Sequence, residues 1–286
     1  MKEMEHSSRQ RESRQRERLD FLLQAFKEDS VRYRTLDVGE DYQEKRMLLR
    51  SLMNNRMPAP MDREVVRVQD EFLAEEAREK SIVTLDEIPT AADQYGSRHP
   101  FGDRLSVWQG DITRLRVGAI VNAANSQMLG CFVPCHGCID NAIHSAAGIE
   151  LREACSRYMS RRRAQLGPDY EEPTGRAVLT EGCNLPARHV VHTVGPIVGG
   201  PLNERLREDL RSCYRSVLQC CADNEIRSVA FCCISTGEFH FPNDQAAKIA
   251  VETVTEFLGS QAEKFDRVIF NVFKDVDREL YEAELM

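Results

Sequence analysis

The chain has 286 residues, 42% hydrophobic and 29% charged, which is the balance of an ordinary globular protein of one large domain or two smaller ones and excludes wholesale disorder or a fibrous repeat. Its net charge of −8 speaks against a general nucleic-acid or anionic-membrane surface, although a local pocket can still hold a phosphorylated small molecule on backbone N–H groups. No run of about 18 uncharged apolar residues is present, so no membrane-spanning helix is expected, and the opening MKEMEHSSRQRESRQRERLD lacks the apolar core of a secretory signal.

Residues 9–18 are almost all Arg, Gln, Glu and Ser and are expected to be a frayed, solvated start. Leu19, Leu22, Leu23 and Phe26 then recur at helical spacing and predict an amphipathic helix. Leu48, Leu49, Leu52 and Met53 predict a second helix, closed by Pro58 and Pro60. Val65, Val68, Phe72 and Leu73 predict a third, running to about Lys80. The segment from Ile88 to Arg104 carries Pro89, Pro100 and two glycines and reads as a linker. Residues 1–100 are thus expected to form a helical extension that packs on a second unit, 101–286.

From Leu105 the pattern changes. LSVWQ reads as a strand, and VGAIVNAAN as a buried strand ending in polar residues. Ile139 to Arg152 has helical spacing. RAVLTEG, RHVVHTVG, SVAFCCIS and RVIFNVF read as further strands, separated by helix faces at Leu206–Cys221 and Ala247–Leu258, the latter with Asn243 as a plausible N-cap. Strands alternating with helices at this spacing imply an α/β layer fold with a largely parallel sheet. Ligands of such sheets bind at the C-terminal strand ends.

Four segments carry candidate chemistry. Cys131, Cys135, His136 and Cys138 lie within eight residues of one loop, and thiolate and imidazole are the ligands zinc prefers. A cluster on one loop leaves a coordination position open, as three-ligand catalytic sites do. Spacing alone does not choose which three bind, nor exclude free thiols in a buried loop. Gly110-Asp111-Ile112-Thr113 follows the first strand, and Asn122 and Asn125 follow the second. Asp111 can accept from an amine or hydroxyl and Asn125 can bond a ribose, or Asp111 can simply cap a turn. Ser235-Thr236-Gly237-Glu238-Phe239 follows the strongly apolar strand SVAFCCIS, where exposed N–H groups can cradle a diphosphate and Phe239 can stack on a ring; routine turn chemistry is the competing reading. In Asp140-Asn141-Ala142-Ile143-His144, Asp140 or Asn141 can face a ligand, with His144 one turn on as a structural or acid–base group. The seven remaining cysteines and His192 are expected in the core. All ten cysteines lie between Cys131 and Cys233 of a chain with no secretory signal, which points to a reducing cytoplasm.

These segments together resemble the macrodomain family. The resemblance is carried by GDITRLRVGAIVNAANSQMLG (110–130), PTGRAVLTEGCNLPARHVVHTVGP (173–196) and VAFCCISTGEFHFPNDQAAKIAVETV (229–254), in that order. The loop GCFVPCHGCIDNAIHSAAG (130–148) narrows it to the zinc-dependent macrodomains of microbial origin, whose N-terminal extension is similar to RMLLRSLMNNR (46–56) and VQDEFL (68–73). The resemblance implies a three-layer α/β/α sandwich and removal of ADP-ribose from mono-ADP-ribosylated proteins, with acidic side chains as the modified groups. Its C-x4-H-x-C ligand pattern falls on Cys131, His136 and Cys138 and implies Zn2+; Cys135 lies inside that spacing at a position the pattern does not require. ADP-ribose contacts are implied for Asp111 and Ile112 at the adenine end and Asn125 at the distal ribose. Ser235, Thr236, Gly237, Glu238 and Phe239 are implied along the diphosphate and distal ribose. Asp140 joins the expected binding residues. Glu238 is the expected proton carrier because it is a carboxylate in that loop. A non-catalytic ADP-ribose reader, or a hydrolase of a small ADP-ribose derivative, is the competing expectation. No nucleic acid or membrane partner is expected, and a monomer is the default.

Overall fold

The structure, a computed structural model, describes residues 2–286. Its N-terminal part is three helices, α1 (Lys2–Glu28), α2 (Tyr42–Asn55) and α3 (Arg63–Glu79). Their apolar stripes meet in a separate small core of Leu19, Leu22, Phe26, Leu49, Leu52, Phe72 and neighbours. Asp41 and Asp62 cap α2 and α3 by accepting from the Glu44 and Glu64 N–H groups. Residues 10–18 are not frayed. They continue α1, because Arg, Gln and Glu are good helix formers and because Gln15 is buried, its Nε2 donating to Phe72 O at 3.2 Å.

Residues 83–104 fold against the second unit. A two-residue strand, β1 (Val83–Thr84), pairs with β3 (Leu115–Arg116), and Ile88 and Ala91, the latter opening the short helix α4 (Ala91–Tyr95), belong to the main core. The sheet proper comprises β2 (Leu105–Gln109), β4 (Ala119–Ala124), β5 (Ala177–Glu181), β6 (His189–Val194), β7 (Ser228–Phe231) and β8 (Arg267–Val272). Their spatial order is β2-β8-β7-β4-β6-β5, parallel except for β5 at the edge.

The helices form two layers on this sheet. Asn122 pairs with His192 across β4 and β6. Asn122 meets Asp140 of α5 (Ile139–Ala147), and His192 meets Cys155 of α6 (Ile149–Leu166). Ile120 pairs with Ala230, so Phe231, one residue on, faces the other way. Phe231 stacks on Tyr214 of α7 (Glu204–Asp223), and its neighbour Phe270 on Tyr281 of α9 (Asp275–Leu285), with α8 (Asn243–Gln261) between those helices. The result is the expected three-layer α/β/α sandwich with a mixed, mostly parallel sheet and helices preceding it. Among the described residues no helix is long and apolar enough to cross a membrane, and all ten cysteines are free thiols.

Four local expectations change. The helix predicted over 139–152 is two helices, broken at Gly148, whose φ of +93° suits glycine and whose Cβ position is taken by Gln69 of α3, 2.8 Å away. Asn243 is the first residue of α8 and not its cap; Pro242 holds that position, and the Asn243 side chain donates to Asp277. The apolar run 228–235 leaves the sheet after Phe231 and turns through Ser235 at φ +65°. The last helix, α9, was not anticipated.

Candidate active site

Because five strands run parallel, the loops at their C-terminal ends share one edge of the sheet. They are 110–114 after β2, 125–138 after β4, 195–203 after β6, 232–242 after β7 and the two-residue connection 273–274 after β8. At this edge the Cys/His loop and the Ser235–Phe239 loop face each other.

The donor atoms of Cys131, His136 and Cys138 all lie within 4.8 Å of one another. His136 turns Nδ1 toward Cys131 Sγ, at 3.6 Å, and Nε2 toward Glu238 Oε1, also at 3.6 Å. One ring nitrogen thus joins the sulfurs while the other meets a carboxylate from the opposite loop, an arrangement that fixes ring orientation in metal-binding histidines. Two thiols and an imidazole converging at this separation fit a zinc ion. Burial pushes the Cys138 thiol up to about 12, so its thiolate form needs a cation beside it. Cys135 is turned away. Its Sγ lies 3.2 Å from Ser51 Oγ and 3.4 Å from Met47 O, both on α2.

The opposing loop is shaped for an anion. Among the described residues the N–H groups of Gly237, Glu238 and Phe239 hydrogen-bond to nothing, whereas those of Thr236, His240 and Phe241 close the turn on Cys233, Gly237 and Ser235 carbonyls. Gly237 and Glu238 are exposed and Phe239 half-buried. Ser235 is buried, its hydroxyl without a partner, against Gly195 at the end of β6.

The remaining sequence-predicted residues divide. Asn125, half-buried, donates to Gly130 O at 3.3 Å and sits 3.4 Å from Asp140 Oδ2. Asp111 is an N-cap: its Oδ1 accepts from Thr113 N and Oγ1 at 3.0 and 2.7 Å. Ile112 puts its side chain in the core, so only its backbone is open to a ligand. Asp140 does not face the cleft. It is 5% exposed, accepts from Asn122 Nδ2 at 2.8 Å, and burial raises its carboxyl to about 6. Asn141 is also inward, bonded to Arg50, Val133 O and Ser145. His144 and His192 lie in the core beneath, where burial drives the His144 pKa well down and that of His192 to about 4. Both nitrogens of His192 are engaged, Nδ1 with Asn122 at 3.1 Å and Nε2 with Thr180 at 3.0 Å. The ring of His144 occupies the position a Cβ on Gly130 would take, 2.8 Å away, so Gly130, at φ +77°, lets the Cys/His loop rest on this histidine.

Arg152 escaped the sequence reading. Only 5% exposed, it donates from Nε to Leu129 O, from Nη1 to Met53, Asn54 and Arg56 carbonyls, and from Nη2 to Cys131 O, while its guanidinium covers the Phe132 ring. An arginine inside an amphipathic helix carries no local signal that distinguishes this role.

A sandwich of this topology, with an anion-receptive loop facing a Cys/His cluster at the strand ends, belongs to the α/β class that binds nucleotide-like ligands beyond its strand termini. A family model described as Macro domain matches residues 121–250. The chain is 43% identical to a protein-ADP-ribose hydrolase of Treponema medium, over 93% of this chain and 97% of that one. It is 38% identical to a protein-ADP-ribose hydrolase of Staphylococcus aureus (strain MRSA252), over 92% and 93%. Among solved structures, a Trypanosoma brucei macrodomain in complex with ADP-ribose superposes with a TM-score of 0.58 at 31% identity, over 82% of this chain and 94% of that one. The chain belongs to the macrodomain family.

Proposed function

We propose that this protein is a zinc-dependent hydrolase that removes ADP-ribose from mono-ADP-ribosylated proteins, breaking the bond to an acidic side chain. One observation carries the reading: in a chain similar over nearly its whole length to protein-ADP-ribose hydrolases, Cys131, His136 and Cys138 converge opposite Glu238 at the strand ends. The proposed catalytic unit is residues 101–286 together with the segment 83–100 that packs on its core, and helices α1–α3 form an extension with its own small core.

In this reading the adenosine lies toward Asp111 and the Ile112 backbone. The diphosphate rests on the Gly237, Glu238 and Phe239 N–H groups and beside Ser235 and Thr236, and the distal ribose reaches Asn125. Asp140 acts through Asn125, holding it from below. Phe239 covers the ligand and keeps water from the diphosphate. Cys131, His136 and Cys138 would hold the zinc, which would supply Lewis acidity to this end of the cleft. Glu238, exposed and against His136 Nε2, steadies that ring and stands where a proton can pass to and from solvent. Fixing the diphosphate and the ribose together is a positioning effect, which lowers the barrier by removing the entropy of encounter.

The test is release of free ADP-ribose from a protein mono-ADP-ribosylated on acidic side chains, using protein as purified, chelator-stripped and zinc-restored. Release lost on stripping and recovered with zinc is expected. Cys138→Ser is expected to lose turnover while keeping ADP-ribose affinity. Unchanged turnover in fully stripped protein removes zinc from the reaction. ADP-ribose binding without release by zinc-loaded protein makes the chain a reader.

A further inference from the structure

The metal loop has no regular secondary structure between Gly130 and Cys138, and Cys135 within it adopts φ +52°. An eight-residue loop that must bring three donors together carries a large ordering cost unless something else holds it. The sandwich supplies part of the support, through His144 and Arg152. The rest comes from α2 of the extension.

Arg50 donates from Nη2 to His136 O at 3.2 Å, and from Nη2 and Nε to Asn141 Oδ1 at 2.7 and 3.2 Å. Asn141 in turn donates to Val133 O at 2.9 Å, and its N–H lies 3.4 Å from Cys138 Sγ. Among the described residues, all of Arg50's side-chain hydrogen bonds therefore go to the loop or to the helix that follows it. One turn along α2, Asn54 Oδ1 accepts from Cys135 N at 3.0 Å, while Nδ2 donates to Ser145 Oγ at 3.0 Å. Arg152 ties the end of α2 to the same loop, through the Met53, Asn54 and Arg56 carbonyls on one side and Cys131 O on the other. The loop backbone is thus gripped at Cys131, Val133, Cys135 and His136, between and at the ligand positions.

We propose that α2 is the template on which the metal loop is set, with Arg50 and Asn54 as positioning residues that preorganise Cys131, His136 and Cys138. The extension is then part of the metal centre and not an appendage to it. This rests on the reading of those three residues as zinc ligands. Residues that orient metal ligands affect metal affinity without touching the metal, and the side chains of Arg50 and Asn54 bond to neither the 110–114 loop nor the 232–242 loop, where the adenosine and diphosphate are placed.

The experiment measures zinc affinity by chelator competition, zinc release rate and ADP-ribose affinity, all on the full chain. Arg50→Ala and Asn54→Ala are each expected to weaken zinc binding by roughly 10- to 100-fold, the range seen when groups orienting metal ligands are removed. ADP-ribose affinity is expected to hold. Arg50→Lys, which keeps the charge but only one donor point, is expected to recover part of the loss. Lys45→Ala, on the same helix but paired with Asp20 and Glu40, serves as the control and is expected to retain zinc like the wild type. Circular dichroism identifies a variant that fails to fold; should Asn54→Ala do so, the half-buried Arg50 decides. Wild-type zinc affinity and release rate in folded Arg50→Ala overturn the proposal alone. A wild-type chain that binds no zinc overturns it together with the zinc reading.

Discussion

Gly195→Ala is expected to disable the ligand loop through one misplaced methyl group. A Cβ at Gly195 would stand 2.1 Å from Ser235 Oγ, 2.9 Å from Ile234 Cγ2 and 3.4 Å from Ser235 Cβ. Gly195 does not have a positive φ, so alanine meets no backbone strain and the whole effect is steric. Ser235 has little room to yield, being buried at φ +65°. Overpacking of this kind costs about 1–3 kcal/mol, which in a domain this large lowers the melting temperature by roughly 2–4 °C per kcal/mol. The functional loss should exceed the stability loss. A shift of about 1 Å in positioning groups can cost ~100-fold in rate, and this one falls on the loop that presents the Gly237–Phe239 N–H groups. Adding Ser235→Ala removes the hydroxyl, which has no hydrogen-bond partner to lose, and leaves the 3.4 Å Cβ approach and the Ile234 contact. The double variant should therefore recover much of the lost stability, though not the affinity Ser235 supplies beside the diphosphate, a coupling that a thermodynamic cycle on unfolding measures. Urea unfolding and calorimetric titration with ADP-ribose are the assays. Wild-type stability and affinity in Gly195→Ala, or purely additive effects in the double variant, would refute this reasoning.

Two further outcomes follow from the buried polar groups. Arg152→Leu should keep the packing volume but strand the Leu129, Cys131, Met53, Asn54 and Arg56 carbonyls; a loss of about 3–5 kcal/mol is expected in urea unfolding, and a loss under ~1 kcal/mol contradicts a structural role for these five bonds. His192 is held neutral by burial, with its pKa lowered to about 4. As pH falls below the ordinary value of about 6.5 the unfolded chain takes up a proton that the folded chain refuses, so stability declines by up to ~1.4 kcal/mol per pH unit until the folded pKa is reached. His192→Asn should show a shallower decline between about pH 6.5 and 4.5 than the wild type; equal slopes would show that this ring is not the origin.

Periodicity located the elements that bury one face: the Leu19–Phe26 stripe of α1, the Val65–Leu73 stripe of α3, and the helix faces at Leu206–Cys221 and Ala247–Leu258. Those patterns follow from 3.6 residues per turn and need no knowledge of partners. The same reasoning joined 139–152 into one helix, because nothing local announces that Gln69, some 80 residues earlier in the chain, fills the space beside Gly148. It also read 88–104 as a linker from its Pro and Gly content, although Ile88 and Ala91 pack in the main core.

At the site, the C-x4-H-x-C spacing was legible because one short loop holds every ligand candidate, and the choice of Cys131, His136 and Cys138 came from resemblance to a family. The direction of each side chain was not legible. Asp140 looked available and is turned into the core, where Asn122 holds it. Cys135 looked like a competing thiol and is drawn off by Ser51 and Met47 O on α2. Glu238 reaches His136 although about a hundred residues separate them. Sequence alone determined what is set by near neighbours along the chain: helical stripes, strand runs and a tight group of thiols and an imidazole. Only the tertiary structure decided which groups meet across the loops, because hydrogen bonds such as Arg50 to Asn141 join residues 91 positions apart, and a side chain's direction depends on the backbone that happens to face it.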